Sequence, residues 1–236
     1  GDRQWTLQLG TASEDIGYGV AVSSNGNNIF VTGSTSASLD SQTYSGNSDI
    51  FLVKYNSSGV KQWTKQLGTT SQDVAYGLTV DSDGYIYLTG YTKGNPWNLT
   101  ANPDNETNSG NTDAFLLKHY DNSTQTPHWT ILLGTSSAEV GRSVTVDSNN
   151  LYLTGDNSST SGDYDAFLAR YGSSGSPSNT PTCSLVAVAS SHVLAWGVAR
   201  APPKAAMPAQ AATGAQRRAD DGPPTSGDRK AAGSGS

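Results

Sequence analysis

The sequence predicts an all-β protein made of three four-stranded antiparallel sheets. One unit recurs three times, its apolar positions follow strand spacing, and clusters of Gly, Ser, Asn and Asp separate its segments. Only 34% of the 236 residues are apolar and 26 are Gly, a balance that favours short strands joined by turns over helices.

Each unit opens on a strand motif. Trp5-Thr6 through Leu9-Gly10 returns as Trp63-Thr64 through Leu67-Gly68 and as Trp129-Thr130 through Leu133-Gly134. A Gly-Thr connector and an acid follow (Asp15, Asp73, Glu139), then alternating apolar positions that end at Val22, Val80 and Val146. This is the spacing of a first strand.

A polar turn leads into a second strand that closes in Thr-Gly, at Thr32-Gly33, Thr89-Gly90 and Thr154-Gly155. The third strand begins at an Asp: Asp49 to Tyr55, Asp113 to Tyr120, Asp165 to Tyr171. Four consecutive apolar positions follow that Asp, as expected of a strand covered on both faces. Stacking sheet upon sheet supplies such cover. Radial stacking is the propeller solution, and the repeat spacing of about 60 lies near that of propeller repeats. In the second copy His119 is an extra residue before Tyr120, which reads as a one-residue bulge.

With these blocks in place, Leu67-Gly68-Thr69, Val80 to Thr92 and Asp113 to Tyr120 resemble the bacterial SBBP repeat, named after the seven-bladed β-propeller. The resemblance runs from about Trp5 to Tyr171. It implies β-propeller-type blades and little chemistry.

The phase of the repeats bears on closure. Trp5–Leu9 is a fourth-strand motif, whereas the last repeat stops after the third strand at Tyr171. The two ends are complementary. Three blades are fewer than the usual four to eight, so we expect a partial propeller: first a segment of a longer protein, second a homodimer whose chains exchange terminal strands to complete a six-bladed ring.

Composition divides the chain into a repeat domain over 1–176 and an Ala/Pro/Gly-rich tail over 177–236, expected to be mostly disordered. Asn occurs fifteen times before the boundary and once after it, while Ala occurs nine and fourteen times. Within the tail, Leu185 to Ala199 reads as a stray strand or apolar patch, too short to span a membrane. Charge divides likewise: eight Lys and Arg against 17 Asp and Glu give -9, and six against three give +3, which sum to -6. An acidic body without a basic stripe argues against nucleic acid as a partner. Cys183 is the only cysteine, so no intrachain disulfide forms. The Asn, Ser, Thr and Gly richness suits an extracellular or cell-surface protein.

In a meander the strand 1 to 2 turns lie at one end and the strand 2 to 3 loops at the other. The latter are unequal in length, about Ser34 to Ser48, Tyr91 to Thr112 and Asp156 to Tyr164. Variable loops on a repeated base are where specificity usually resides. Trp97 with Asn95 and Asn98, and Tyr44 with Asp40 and Gln42, pair an aromatic ring with amides and an acid in the way a sugar requires. The expected partner is therefore a glycan or a protein, held through these loops. Pinning of the loop to its own blade by Trp97 is the alternative role.

Asp15, Asp73 and Glu139 recur at the entry to the first strand and are the candidate ligands for Ca²⁺; accepting backbone N–H bonds in the connector is the competing and favoured role. Asp81-Ser82-Asp83-Gly84 starts like a calcium loop, but Thr92 stands where a bidentate Glu is needed, so it reads as a hairpin turn. The histidines are His119, His128 and His192, and none sits in a nucleophile or metalloprotease motif. The expectation is a non-catalytic binding module or scaffold, with a purely structural repeat segment as the first alternative and a carboxylate-dependent glycoside hydrolase as the second.

Overall fold

The computed structural model describes residues 1–95, 107–108, 110–121, 127–148, 150–158, 163–172 and 184–186. Its strands form three four-stranded antiparallel sheets. The first holds β1 (Asp15–Val22), β2 (Asn28–Thr35), β3 (Asp49–Asn56) and β4 (Lys61–Leu67) in that order. The second holds β5 (Asp73–Val80), β6 (Ile86–Thr92), β7 (Asp113–His119) and β8 (Trp129–Leu133). The third holds β9 (Ala138–Val146), β10 (Asn150–Ser158), β11 (Tyr164–Gly172) and β12 (Ser184–Val186). These are the three expected blades.

Two features of the sequence reading need correction. Trp5–Leu9 belongs to no strand, and the edge of the third sheet is taken by β12, from beyond residue 176. Leu9 instead packs, with Leu39, against Phe51, Val53 and Tyr55 of β3. The bulge expected at His119 is also absent: β7 runs in register to its end, where His119 pairs with Ile86. All of the tail except Ser184–Val186 lies outside the described residues.

The sheets stack through opposite faces of their third strands. Ile50 and Leu52 of β3 meet Phe115 and Leu117 of β7, together with Ala75 and Leu78 of β5. The other face of β7, Ala114 and Leu116, meets Phe167, Ala169 and Tyr171 of β11. Alternation of side chains across a strand produces this arrangement. Each sheet turns its Phe-bearing face backward and its Ile/Leu-bearing face forward.

A repeated polar stitch joins neighbouring sheets. The amide of Asp73 donates to the carbonyl of Ser48 at 2.9 Å, and that of Glu139 to the carbonyl of Thr112 at 2.8 Å. Both lie beside short parallel bridges, Ser48 with Gln72 and Thr112 with Ala138. A Cβ on Gly46 would lie 2.3 Å from the carbonyl oxygen of Ser71, and one on Gly110 2.3 Å from that of Ser137. Glycine is therefore required where each loop returns across the connector of the next sheet.

Candidate functional site: the bulged first strands

β5 packs between β1 and β9, so the three first strands gather on one side of the stack. Each carries a β-bulge. The pairing of β1 with β2 skips Tyr18, that of β5 with β6 skips Tyr76, and that of β9 with β10 skips Arg142. Bulges re-aim side chains and are common beside binding sites.

The recurring Thr-Gly pair builds the bulge. The hydroxyls of Thr32, Thr89 and Thr154 donate to the carbonyls of Phe51, Phe115 and Phe167 at 2.7, 2.7 and 2.9 Å. The glycine beside each leaves room for the bulged chain opposite. A Cβ on Gly33, Gly90 or Gly155 would stand 1.9, 1.9 or 2.0 Å from the carbonyl oxygens of Ile16, Val74 and Val140. Only glycine fits there.

The bulged residues meet one another. Tyr18 and Tyr76 make an edge contact with centroids 4.8 Å apart, and Tyr91 lies 6.0 Å from Tyr76. The guanidinium of Arg142 sits 5.0 Å from the centre of the Tyr76 ring, in the range of a cation–π contact. Its Nε and one terminal nitrogen both donate to the carboxylate of Asp156. This bidentate pairing fixes the guanidinium plane. Burial raises the Tyr76 phenol above its ordinary value despite Arg142 nearby, and pushes Tyr91 up to about 12. Both are neutral hydroxyls at physiological pH. The hydrogen bond to Asp156 raises the guanidinium further, so it stays charged. Tyr18 and the Arg142 side chain remain about half exposed.

This patch of three phenol rings, one cation and one carboxylate lies on strand positions that the sequence reading passed over. Tyr18-Gly19 and Tyr76-Gly77 recur at the repeat offset, but Arg142 stands at the equivalent position of the third copy. The signal was the recurring Thr-Gly, whose glycine implies a close approach from the opposite strand.

The expected loop residues fare differently. Tyr44 is half-buried and Asn95 exposed; the Oδ1 of Asn95 accepts from the amide of Asn108 at 3.2 Å. Trp97 and Asn98 lie outside the described residues. The first loop is tied down along β4. Asp40 accepts from Lys61 and Thr64, both at 2.5 Å, and Gln66 accepts from the amide of the buried Leu39 at 2.9 Å.

The proposed calcium ligands are each engaged by the threonine four residues earlier. Asp15 accepts from the amide and hydroxyl of Thr11 at 2.5 and 2.9 Å, and Asp73 from those of Thr69 at 2.6 and 2.8 Å. Glu139 accepts from the amide of Thr135 at 3.0 Å and from its hydroxyl. Among the described residues no group of three or more His, Cys, Asp and Glu could hold a metal ion. The acids of the third strands serve the blade as well. Asp49 accepts from the amide of Ser45 and from Gln66, both at 2.9 Å, and a Cβ on Gly68 or Gly134 would strike the carboxylate of Asp49 or Asp113. At Asp81 the carboxylate accepts from the amides of Asp83 and Tyr85 at 3.0 and 2.8 Å, with Gly84 at positive φ. That is a hairpin turn.

The chain is similar to an uncharacterized WD repeat-containing protein of Acanthamoeba polyphaga mimivirus, 27% identical over 184 residues, or 64% of this chain and 13% of that protein. It is also similar to the regulatory protein FlaEY of Caulobacter vibrioides, 24% identical over 148 residues, or 58% of this chain and 15% of that protein. The chain thus spans less than a sixth of the length of either relative. The SBBP β-propeller repeat model matches residues 4–40 and 62–97, in each case starting at the Trp-bearing motif and running through the bulged strand to the second strand. Two stretches of the chain thus match the SBBP β-propeller repeat, and the three stacked four-stranded antiparallel sheets agree with that match.

Proposed function

We propose that the chain is a non-catalytic binding module of an extracellular or cell-surface protein, and that it holds a saccharide on the Tyr18, Tyr76, Tyr91 and Arg142–Asp156 patch. The observation that carries this reading is the triple bulge. Three sheets each spend a ladder position to turn one side chain toward the same place, and the side chains supply ring faces, a fixed cation and a fixed carboxylate. Sugars are held by stacking of their C–H faces on aromatic rings and by hydrogen bonds to charged, planar side chains. The first strand 2 to 3 loop, with Tyr44, begins at this same end of the sheets and extends the surface toward a larger glycan or a protein.

A scaffold is favoured over a hydrolase because the recurring carboxylates are bound to their own connectors. A glycoside hydrolase needs two carboxyl groups facing the same bond. The competing reading, a purely structural repeat, is favoured by the open face of the third sheet. A glycan array followed by calorimetry on the best ligand tests the proposal. Binding should weaken at least tenfold in Tyr76→Ala and in Arg142→Ala, with no cleavage of the bound glycan. Equal binding by these variants, or no binding by the parent chain, would leave the structural reading in its place.

A further inference from the structure

The third sheet presents a stacking face that its two predecessors cover. The forward face of β3 carries Ile50 and Leu52, and that of β7 Ala114 and Leu116; all four are fully buried. The same positions of β11 are Ala166 and Leu168, both exposed, with Leu168 at 37%. Lys118 is buried, whereas its counterpart Arg170 is exposed.

The edge of β11 is similarly incomplete. β3 pairs with β4 at six positions and β7 with β8 at five, but β11 pairs with β12 at only three, Leu168 to Arg170.

The matching surface lies at the other end of the stack. Trp5 and Leu7 are 44% and 47% exposed, and Val20 and Val22 of β1 are 66% and 53% exposed, whereas Leu78, the counterpart of Val20, is buried. Trp5–Leu9 already sits on the first sheet in the manner of a preceding fourth strand. Leu9 packs behind β3, as Leu67 packs against the cluster shared with the second sheet. Trp5 and Leu7 lie against the hairpin turn at Gly59, within 3.3 Å of where its Cβ would be. The repeat match starts at residue 4 as it does at residue 62, an offset of 58, which equals the offset of Trp63 from Trp5.

We infer that the third sheet of one chain docks against the first sheet of a second copy, with Trp5–Leu9 of that copy replacing β12 as the fourth strand beside β11. The existing sheets dictate the register. Lys118 stands opposite Trp129, Leu116 opposite Ile131, and Ala114 opposite Leu133; the first sheet agrees, with Lys54 opposite Trp63 and Ile50 opposite Leu67. Carried to β11, this places Arg170 opposite Trp5, Leu168 opposite Leu7, and Ala166 opposite Leu9. Exposed Leu168 then covers exposed Leu7, in the place where buried Leu116 meets buried Ile131.

The occupant is a copy of this chain because the interface is continuous in kind with the two sheet-to-sheet interfaces already formed. The joint is head to tail, and repeating it once closes two chains into a ring of six sheets, within the four to eight that propellers use. The inference stands on strand register and is independent of the saccharide reading, which rests on the bulges.

Single-cysteine chains test it. With Cys183→Ser as background, Leu7→Cys and Leu168→Cys chains are prepared separately, mixed and oxidised. Opposed strand positions stand about 4.5–5.5 Å apart at Cα, a separation that a disulfide spans. The expected result is a cross-linked species of twice the chain mass in the mixture, and sedimentation of the unmodified chain at twice its mass. Leu168→Asp, on a face exposed in the single chain, should fold and sediment at the mass of one chain. A single-chain mass at the highest soluble concentration with no cross-link in the mixture would overturn the inference. So would an intrachain disulfide in the doubly substituted chain, which would assign Trp5–Leu9 to its own β11.

Discussion

The second and third sheets share strand order and sequence motifs, yet β7 is buried at all seven positions while β11 alternates between buried and exposed. The difference does not come from the strands themselves, since both contain Asp-Ala-Phe-Leu at equivalent positions. It comes from neighbours: among the described residues β7 has a sheet on either side, and β11 has one only on the side of Phe167 and Ala169. In a stacked repeat protein, burial is a property of position in the array more than of local sequence.

The largest expected contrast lies at one leucine. Leu116→Ala should destabilise the fold by about 2–5 kcal/mol, as large-to-small changes in a packed core do. Leu168→Ala, at the equivalent position on the open face, should cost less than about 1 kcal/mol in dilute protein. Chemical denaturation of the two variants checks this, and equal losses would mean that the third sheet is covered as the second is.

The connector glycines give the next contrast. Gly110→Ala places a Cβ 2.3 Å from the carbonyl oxygen of Ser137, so the loop must shift away from the third sheet. We expect a loss of about 1–3 kcal/mol, the usual scale of overpacking. Gly17→Ala, with nothing within 4 Å of the added carbon, serves as the control and should melt within a few degrees of the parent.

Much of the fold was legible because the signals that carry it are local. Thr-Gly recurs with its threonine side chain doing the same work in every copy, as the three Thr-to-Phe hydrogen bonds show. What was illegible depended on partners distant in sequence. The fourth strand of the third sheet, Ser184–Val186, is three residues inside an Ala- and Pro-rich stretch, too short for any periodicity. Trp5–Leu9 has the pattern of a strand, but a strand also needs an edge to pair with, and β11 is paired elsewhere. In the Tyr18–Tyr76–Arg142 patch the third copy carries Arg where the first two carry Tyr, and the contact among the three depends on bulges formed by strands distant in sequence. Ser45 to Asp49 and Ser109 to Asp113 share Ser-Gly-Asn-Ser/Thr-Asp, a repeat that could have revealed the connector stitch.

The acids at the head of the first strands offer the smallest contrast. Burial opposes ionisation of Asp15, but hydrogen bonds from Thr35 and Thr11 outweigh it, and the carboxyl is held below its ordinary value. At Asp73, enclosed between two sheets, burial outweighs the bonds from Thr92 and Thr69 and raises it. A raised carboxyl binds more protons folded than unfolded, so its contribution grows as pH falls from neutral toward the ordinary value of 3.8 and declines as pH rises. Asp15 contributes in the opposite sense, its stabilisation being lost only as pH falls below 3.8. Denaturation across this range should show that Asp73→Asn removes part of the gain on acidification, and that Asp15→Asn leaves that gain in place.

The central claim, that neighbouring sheets and not local sequence set the character of each blade, is tested most directly by amide hydrogen exchange measured on β3, β7 and β11 in one dilute sample. Opening free energies approach the global value only in elements buried on both sides. The account predicts that β3 and β7 exchange slowest and together, while β11 exchanges faster despite its near-identical sequence. Equal protection of all three strands in dilute protein would contradict it.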